Sequence, residues 1–336
     1  MNVLSLFDGI SCGQIALERA GITFDKLSAD NGHSNAERES NHYFASEIKP
    51  IAIKCATENY PNTIKIGDVT KIHYENGVLF TEKGKYKTNI DMIIGGSPCQ
   101  SFSFAGKMVG MATKDKIKIT TLEQYLELKE KGFEFEGFSY IFWEYVRLLK
   151  EIKPKYFLLE NVKMAEKWEK VITKALGVNS IYINSDLVSY QHRRRLYWTN
   201  IPNVKIPQDR NINFQDYIDN NLENLKESKL NKTPSREKMW NNGEGYNGLG
   251  TCHNITNSDK VYCLTRKQDR SPNSGLVKFE DFCRFLTRNE LEQAQTLPIG
   301  YTKCLSYNQM QDVCGDGWTV DVIAHILSFI PMEDRV

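Results

Sequence analysis

The sequence has no cysteine pair at CxxC spacing, no run of about 18 apolar residues, no GxGxxG turn and almost no net charge, and each absence excludes something. The eight cysteines (12, 55, 99, 252, 263, 283, 304 and 314) show no metal-ligand spacing, so no metal site is expected and all eight read as thiols in a reducing compartment. Without a long apolar run no membrane-spanning helix is expected. The opening MNVLSLFDGISCG carries neither the basic region nor the apolar core of a leader, so the expectation is a cytoplasmic protein. A formal net charge of +1, from 43 Lys plus Arg against 42 Asp plus Glu, gives no global signature for nucleic acid. The turn after the first strand is DGxxxG (Asp8 to Gly13), which argues against a nicotinamide-dependent oxidoreductase.

What is present suits a globular chain. At 336 residues, 40% hydrophobic and 25% charged, it can form one large domain or a large one with a smaller companion. The charge is uneven: residues 226–278 hold ten Lys plus Arg against five Asp plus Glu, and binding to phosphates depends on such local surpluses.

The organising stretch is Asp91 to Gly106, DMIIGGSPCQSFSFAG. Met92, Ile93 and Ile94 read as a short buried strand that Gly95 and Gly96 terminate. Pro98 stiffens the turn that presents Cys99 at the carboxyl end of that strand, the edge where open α/β sheets collect ligands and reacting groups. Free cysteine is most often a small buried hydrophobe. Here glycine, proline and polar flanks favour a presented nucleophile.

Other strands end in chemistry at the same edge. Asn2 to Phe7 is a strand leading through a glycine turn into a helix from Gln14 to Ala20. Tyr43 to Glu47 ends in a carboxylate that can accept both hydrogen bonds of a ribose diol, with Ile48 placed to pack on an adenine. Ile64 to Val69 delivers Asp68 in the same way. Lys155 to Val162 closes on Glu160, a carboxylate at the end of an apolar strand that needs a partner or a task. Residues 185–200, SDLVSYQHRRRLYWTN, set three arginines before an aromatic strand. The polar run between Gly21 and Tyr43 is expected at the amino-terminal edge of the sheet, away from the ligand, with His33 and His42 solvated. Lys107 to Gly137 reads as a candidate lid. It contains a short helix from Leu122 to Lys131 that turns Leu122, Tyr125 and Leu126 to one face. Ser139 is placed to cap a helix from Tyr140 to Ile152 whose aromatic residues mark core packing.

In order and spacing these blocks resemble the DNA (cytosine-5)-methyltransferases. GGSPCQSFSFAG is similar to the family's proline-cysteine motif, Glu160-Asn161-Val162 to its ENV motif, and Gln191, Arg193 and Arg195 to QxRxR. The segments 284–301 and 315–327 resemble its ninth and tenth blocks. FDG at the start and GWTV near the end match the de novo-type variant, with Trp318 where Asn is more usual. The resemblance runs from Asn2 to about Ile330.

The resemblance implies an α/β fold: a Rossmann-like S-adenosylmethionine-dependent methyltransferase sheet with a smaller target-recognition domain. Its divisions would be 1–204 (catalytic, cofactor-binding), 205–280 (target recognition) and 281–336, with 310–336 returning to the catalytic part. It implies Cys99, Glu160, Arg193 and Arg195 as catalytic residues. Glu160 would be a general acid kept protonated by burial. For S-adenosylmethionine it implies Phe7, Asp8, Gly9, Glu47, Ile48, Asp68, Val69, Pro98, Trp318 and Val320. The expected substrate is a flipped-out cytosine in double-stranded DNA, methylated at carbon 5 through a covalent Cys99 adduct. A monomer is expected, of phage or bacterial type, nucleoid-associated, with a cognate restriction endonuclease left open as partner. Transfer RNA as substrate, suggested by the partial echo of a CFT block in CLT at Cys263, and a silent DNA-binding regulator remain the alternatives.

Overall fold

The computed structural model describes residues 1–24, 41–99, 102, 110–241, 254–266, 268 and 274–335, the side chains of 238 and 239 excepted. In chain order the strands are β1 (Val3–Leu6), β2 (Tyr43–Ser46), β3 (Ile64–Lys65), β4 (His73–Glu75), β5 (Val78–Thr81), β6 (Gly84–Lys87), β7 (Met92–Gly96), β8 (Tyr156–Val162), β9 (Ile181–Asn184), β10 (Arg194–Thr199), β11 (Val277–Phe279) and β12 (Phe282–Arg284). The helices are α1 (Cys12–Arg19), α2 (Pro50–Asn59), α3 (Leu122–Glu130), α4 (Phe142–Ile152), α5 (Glu166–Leu176), α6 (Leu222–Ser228), α7 (Pro234–Asn241), α8 (Arg288–Ala294), α9 (Tyr307–Asp316) and α10 (Val320–Leu327).

Seven strands form one sheet in the order β3-β2-β1-β7-β8-β10-β9. β3 through β8 run parallel to one another, whereas β10 is antiparallel to both its neighbours. Parallel strands are covered on both faces and read as continuous apolar runs, which is the pattern of β1, β7 and β8. Alternate residues feed two cores. Val3, Met92, Ile94 and Leu158 point to a layer containing α1 and α10. Leu4, Leu6, Ile93 and Leu159 point to a layer built by α3, α4 and α5. A third, small cluster gathers Leu230, Leu276, Phe282, Cys283 and Phe285 around the β11–β12 hairpin.

Several sequence expectations are refined. The third strand stops at Lys65, because Asp68 caps a tight 3-10 turn over Val69–Lys71 by accepting from Thr70 N at 2.9 Å. α4 begins at Phe142 after a 3-10 turn over Ser139–Ile141, so Ser139 is buried within that turn rather than capping the helix. On α3 the buried residues are Leu122, Tyr125 and Leu128; Leu126 faces outward, since the face that meets α4 follows a three-residue step. Residues 110–137 do not form a free lid: Met111 and Ile119 are fully buried, and Ala112 and Thr113 pair with Lys118 and Phe135. The intervening 103–109 and the run 25–40, with His33, lie outside the described residues. His42 is half-buried and built into the sheet margin, donating its N–H to Asn2 Oδ1 and accepting from Val3 N.

The join between the small cluster and the sheet domain rests on a buried ion pair. Arg284 places Nη1 2.7 Å from Glu290 Oε2 and Nη2 2.8 Å from Oε1, and Thr287 N and Asp219 N donate to the same carboxylate. Removing one partner leaves an unanswered buried charge. Glu290→Ala is therefore expected to cost about 3–5 kcal/mol of stability in urea denaturation, whereas Lys170→Ala, which breaks an exposed pair with Glu166, leaves the urea midpoint nearly unchanged.

Candidate active site

At the carboxyl edge of β1, β2, β7 and β8 lies a cavity of about 360 Å³, within the range of about 300–1,000 Å³ typical of small-molecule sites. Its lining includes Phe7, Asp8, Gly9, Glu47, Ile48, Asp68, Val69, Pro98, Cys99, Glu160, Arg193, Arg195 and Trp318. Of the sequence-predicted residues only Val320 does not line it. Val320 is fully buried in the first turn of α10, where its N–H donates to Gln295 O at 3.0 Å and its side chain joins the α1–α10 core.

One end of the cavity is a strained turn. Phe7, Gly9 and Ser11 have φ of 59°, 59° and 61°, all in the left-handed region that costs a non-glycine residue energy and persists only where surroundings enforce it. The enforcement comes from Asp8, whose carboxylate accepts from Ser5 Oγ (2.7 Å), Ser11 Oγ (2.5 Å) and Tyr43 Oη (2.6 Å). Burial raises the Asp8 carboxyl above its ordinary value despite these three donors. Asp8 thus acts as the anchor of the turn, with its oxygens directed into the protein. A Cβ on Gly9 would meet nothing within 4 Å, so the turn leaves open space over its backbone.

Glu47 follows β2 and is also held from below. Its Oε1 accepts from Ile48 N and Lys49 N, and Oε2 from Gly9 N, each at 2.8 Å. A carboxylate offers about four lone-pair sites, so Oε2 retains room for one hydroxyl, fewer than the two anticipated for a diol. Asp68 keeps Oδ1 on Thr70 N and leaves Oδ2 toward the cavity side. Ile48 is 66% exposed beside the opening. Sequence reasoning missed Phe138, which is 53% exposed and lines the same cavity; it is one of several aromatics between Phe133 and Tyr145, and nothing local sets it apart from those that pack in the core.

The other end carries the reactive groups. β7 and β8 pair in register Gly96↔Glu160, so Cys99 and Glu160 leave adjacent strands at one edge. Glu160 Oε1 lies 2.9 Å from Arg195 Nε, and Oε2 accepts from Trp318 Nε1 at 3.0 Å. A Cβ on Gly96 would stand 2.7 Å from Trp318 Nε1 and 3.1 Å from Glu160 Oε2, so glycine is required for that contact. Both carboxylate oxygens act as acceptors, and each keeps a second lone pair. Trp318, predicted to lie near the cofactor, is a partner of Glu160.

Arg193 is 3% exposed and braces the site from behind. Its Nη1 donates to Leu264 O (3.2 Å) and its Nη2 to Gly315 O (3.1 Å) and Gly317 O (2.7 Å). Both arginines also approach the sulfur of Cys263. Across the mouth Lys49 pairs with Asp316 at 2.9 Å, with Arg266 3.6 Å from the same carboxylate. Among the described residues no cluster of His, Cys, Asp and Glu suits a metal ion, and no helix is long and apolar enough to cross a membrane.

An α/β sheet with a cysteine, a carboxylate and two arginines gathered beside a nucleotide-sized cradle defines a group-transfer enzyme architecture. The chain belongs to the C-5 cytosine-specific DNA methylase family, whose model matches residues 1–331. It is 30% identical over 210 residues to the orphan methyltransferase M.SPRI of Bacillus phage SPR, covering 59% of this chain and 37% of that protein. It is also 30% identical over 205 residues to the type II methyltransferase M.NgoBV of Neisseria gonorrhoeae, covering 56% and 40%. The matched stretch is thus well under two thirds of those relatives' lengths. The fold is similar to a putative DNA modification methyltransferase encoded within an E. coli prophage (TM-score 0.58, 18% identity, 98% of each chain). It is equally similar to the S. pombe Dnmt2 methyltransferase (TM-score 0.61, 15% identity, 98% of this chain and 97% of that one).

The thiol of Cys99 is raised above its ordinary value, chiefly by burial, with Arg195 pulling it down and Glu160 pushing it up. A raised thiol is less ionised at any given pH. Site-resolved alkylation of Cys99 by iodoacetamide is therefore expected to be slower at pH 8 than that of free cysteine and to keep rising at pH values where free cysteine has levelled off.

Proposed function

We propose that the protein transfers a methyl group from S-adenosylmethionine to carbon 5 of a flipped-out cytosine in double-stranded DNA. The observation that carries this reading is a single cavity with Cys99, Glu160 and Arg195 at one end and the Gly9–Glu47–Asp68 cradle at the other. The cradle suits this cofactor. The open backbone at Gly9 would admit the amino-acid end, the free lone pair of Glu47 would take a ribose hydroxyl, and Asp68, Ile48 and Phe138 would hold the adenine. When bound, S-adenosylmethionine would supply an electrophilic methyl group.

The residues then divide the work. Carbon 5 of cytosine is a poor nucleophile until aromaticity is broken. Cys99 Sγ adds to carbon 6 and its proton leaves, which moves electron density toward carbon 5. Charge that develops at N3 is met by Glu160, which shares a proton with the base through a lone pair that Arg195 and Trp318 leave free. Arg195 offsets charge at O2, and Arg193 fixes the loop that carries it. Carbon 5 takes the methyl group with S-adenosylhomocysteine as the leaving group, N3 returns its proton to Glu160, and loss of the carbon 5 proton to solvent breaks the bond to Cys99, which restores the ring and frees the thiolate. None of these atoms is reachable in a stacked duplex, so the base is extruded at a cost of about a few kcal/mol.

Residues 1–204 serve catalysis, 205–280 target recognition, and 310–336 return to the sheet. Supporting this division, the separate cluster around β11–β12 has its own small core, and α10 packs on α1 with Arg19 Nη1 2.6 Å from Asp321 Oδ1. One chain supplies every member of the reactive cluster, which supports a monomer, with or without a cognate restriction endonuclease. The phage and bacterial relatives support a cytoplasmic, nucleoid-associated setting.

Two outcomes test the reading. Labelled methyl from S-adenosylmethionine is expected in unmethylated duplex DNA at a short recurring context seen by bisulfite sequencing; label only in transfer RNA overturns the substrate, and label in neither overturns the activity. Cys99→Ala is expected to reduce transfer below detection while DNA binding, followed by gel shift, stays within a few-fold. Separately, Phe138→Ala removes a stacking surface worth about 1–3 kcal/mol, so KM for S-adenosylmethionine is expected to rise roughly tenfold with a smaller change in kcat.

A further inference from the structure

Cys263 is assigned no task in the reaction above, yet its sulfur lies 3.5 Å from Arg193 Nη1 and 3.9 Å from Arg195 Nη2. Its position is built rather than incidental. Val261 exchanges backbone hydrogen bonds with Tyr190 and His192, and Leu264 N donates to Gln191 Oε1 at 2.9 Å, which locks residues 261–264 against the chain that carries both arginines. We infer that Cys263 is a positioning residue for methyl transfer, its sulfur serving as the acceptor that keeps the Arg193 and Arg195 guanidinium groups in place. The inference rests on the methyl-transfer reading.

The chemistry explains why an acceptor is needed there. Arg195 has Glu160 on its Nε side, and that pull weakens as Glu160 shares a proton with the base and its charge is partly neutralised. Its other acceptors are the adjacent Arg194 O at 2.9 Å, which moves with the same chain, and the Cys263 sulfur, which belongs to a separate segment. With Cys263 on its other edge, Arg195 stays oriented while the charge on Glu160 changes. The electrostatics agree. Burial pushes the Cys263 thiol up, but the two guanidinium groups outweigh it and hold the thiol below its ordinary value. Reciprocally, burial works against the charge of Arg195, while Cys263, Glu160 and Cys99 hold it firmly protonated. The remaining ionisable neighbours of this cluster are Tyr197 on β10 and Asp316 at the end of α9, the latter paired with Lys49 and Arg266. In the thiol form Sγ can donate to Leu264 O at 3.5 Å; in the thiolate form it accepts from both arginines.

The test compares Cys263→Ala with Cys263→Ser, which keeps a hydrogen-bond acceptor. Loss of an acceptor for charged donors is expected to lower kcat about tenfold in Cys263→Ala, with KM for S-adenosylmethionine within about twofold, and Cys263→Ser is expected to recover to within about threefold of wild type. An unchanged kcat in Cys263→Ala, or a loss that serine does not recover, overturns the inference. A second measurement needs no variant. Site-resolved iodoacetamide labelling of the wild-type protein is expected to give Cys263 an inflection below that of free cysteine; an inflection at or above it overturns the inference. Failure of the underlying reading is separable, because it appears as no methyl label from the wild-type enzyme while the labelling profile of Cys263 is read independently of turnover.

Discussion

Glu160 sits at the end of a strand that is buried on both faces, and a carboxylate in that position has to be answered by donors that water cannot provide. Arg195 answers one oxygen and Trp318 the other, from segments 35 and 158 residues further along the chain. Meeting this one requirement draws the start of β10 and the stretch between α9 and α10 to the carboxyl edge of β7 and β8. Arg193 extends the same logic, because its buried guanidinium is answered by the carbonyls of Leu264, Gly315 and Gly317 and by the Cys263 sulfur. The reactive end of the cavity is held by electrostatic obligations among distant segments more than by hydrophobic packing.

The cradle end is organised differently. There the constraint is backbone strain, with alternate left-handed residues at 7, 9 and 11 stabilised by a carboxylate that three hydroxyls hold. Glu47 is fixed through backbone N–H groups of the same turn and of Ile48 and Lys49 just before α2. A ligand meets a surface already set in place, so little ordering cost remains to be met on binding.

Strand ends were legible in the sequence because short apolar runs finishing in Glu, Asp or Cys carry their meaning locally. Cys99, Glu160 and the arginines all reach one cavity for that reason. The partner of a buried charge is a tertiary fact with no local signature. Trp318 could be placed near the cofactor by resemblance, but not on Glu160, and Cys263 gave only a weak motif echo. The length of the third strand was misjudged because the strand ends at Lys65 and Asp68, a good cap, opens a 3-10 turn three residues later. The register of α3 was misjudged because Leu126 and Leu128 are equally apolar and only the position of α4 distinguishes them. Asp8 looked like a ligand for the cofactor since a carboxylate beside a glycine turn fits either task; the neighbouring hydroxyls that turn it inward come from three separate positions.

The reversed direction of β10 has a consequence for how such a chain can diversify. A strand parallel to β8 would begin at the far edge, whereas an antiparallel one starts at the cavity, where Arg193 and Arg195 lie, and exits at the opposite rim. The charge-rich stretch beyond Thr199 therefore departs from the side remote from chemistry, and its residues 261–264 return to the chain that carries both arginines. The run between Ile22 and Asn41 is likewise bracketed by residues on that remote rim, where His42 meets Val3. Lengthening a tether there costs little, since closure entropy grows only slowly with chain length. Insertions there start from the rim opposite the reacting atoms, so the chain can vary at those points while the cavity keeps its geometry.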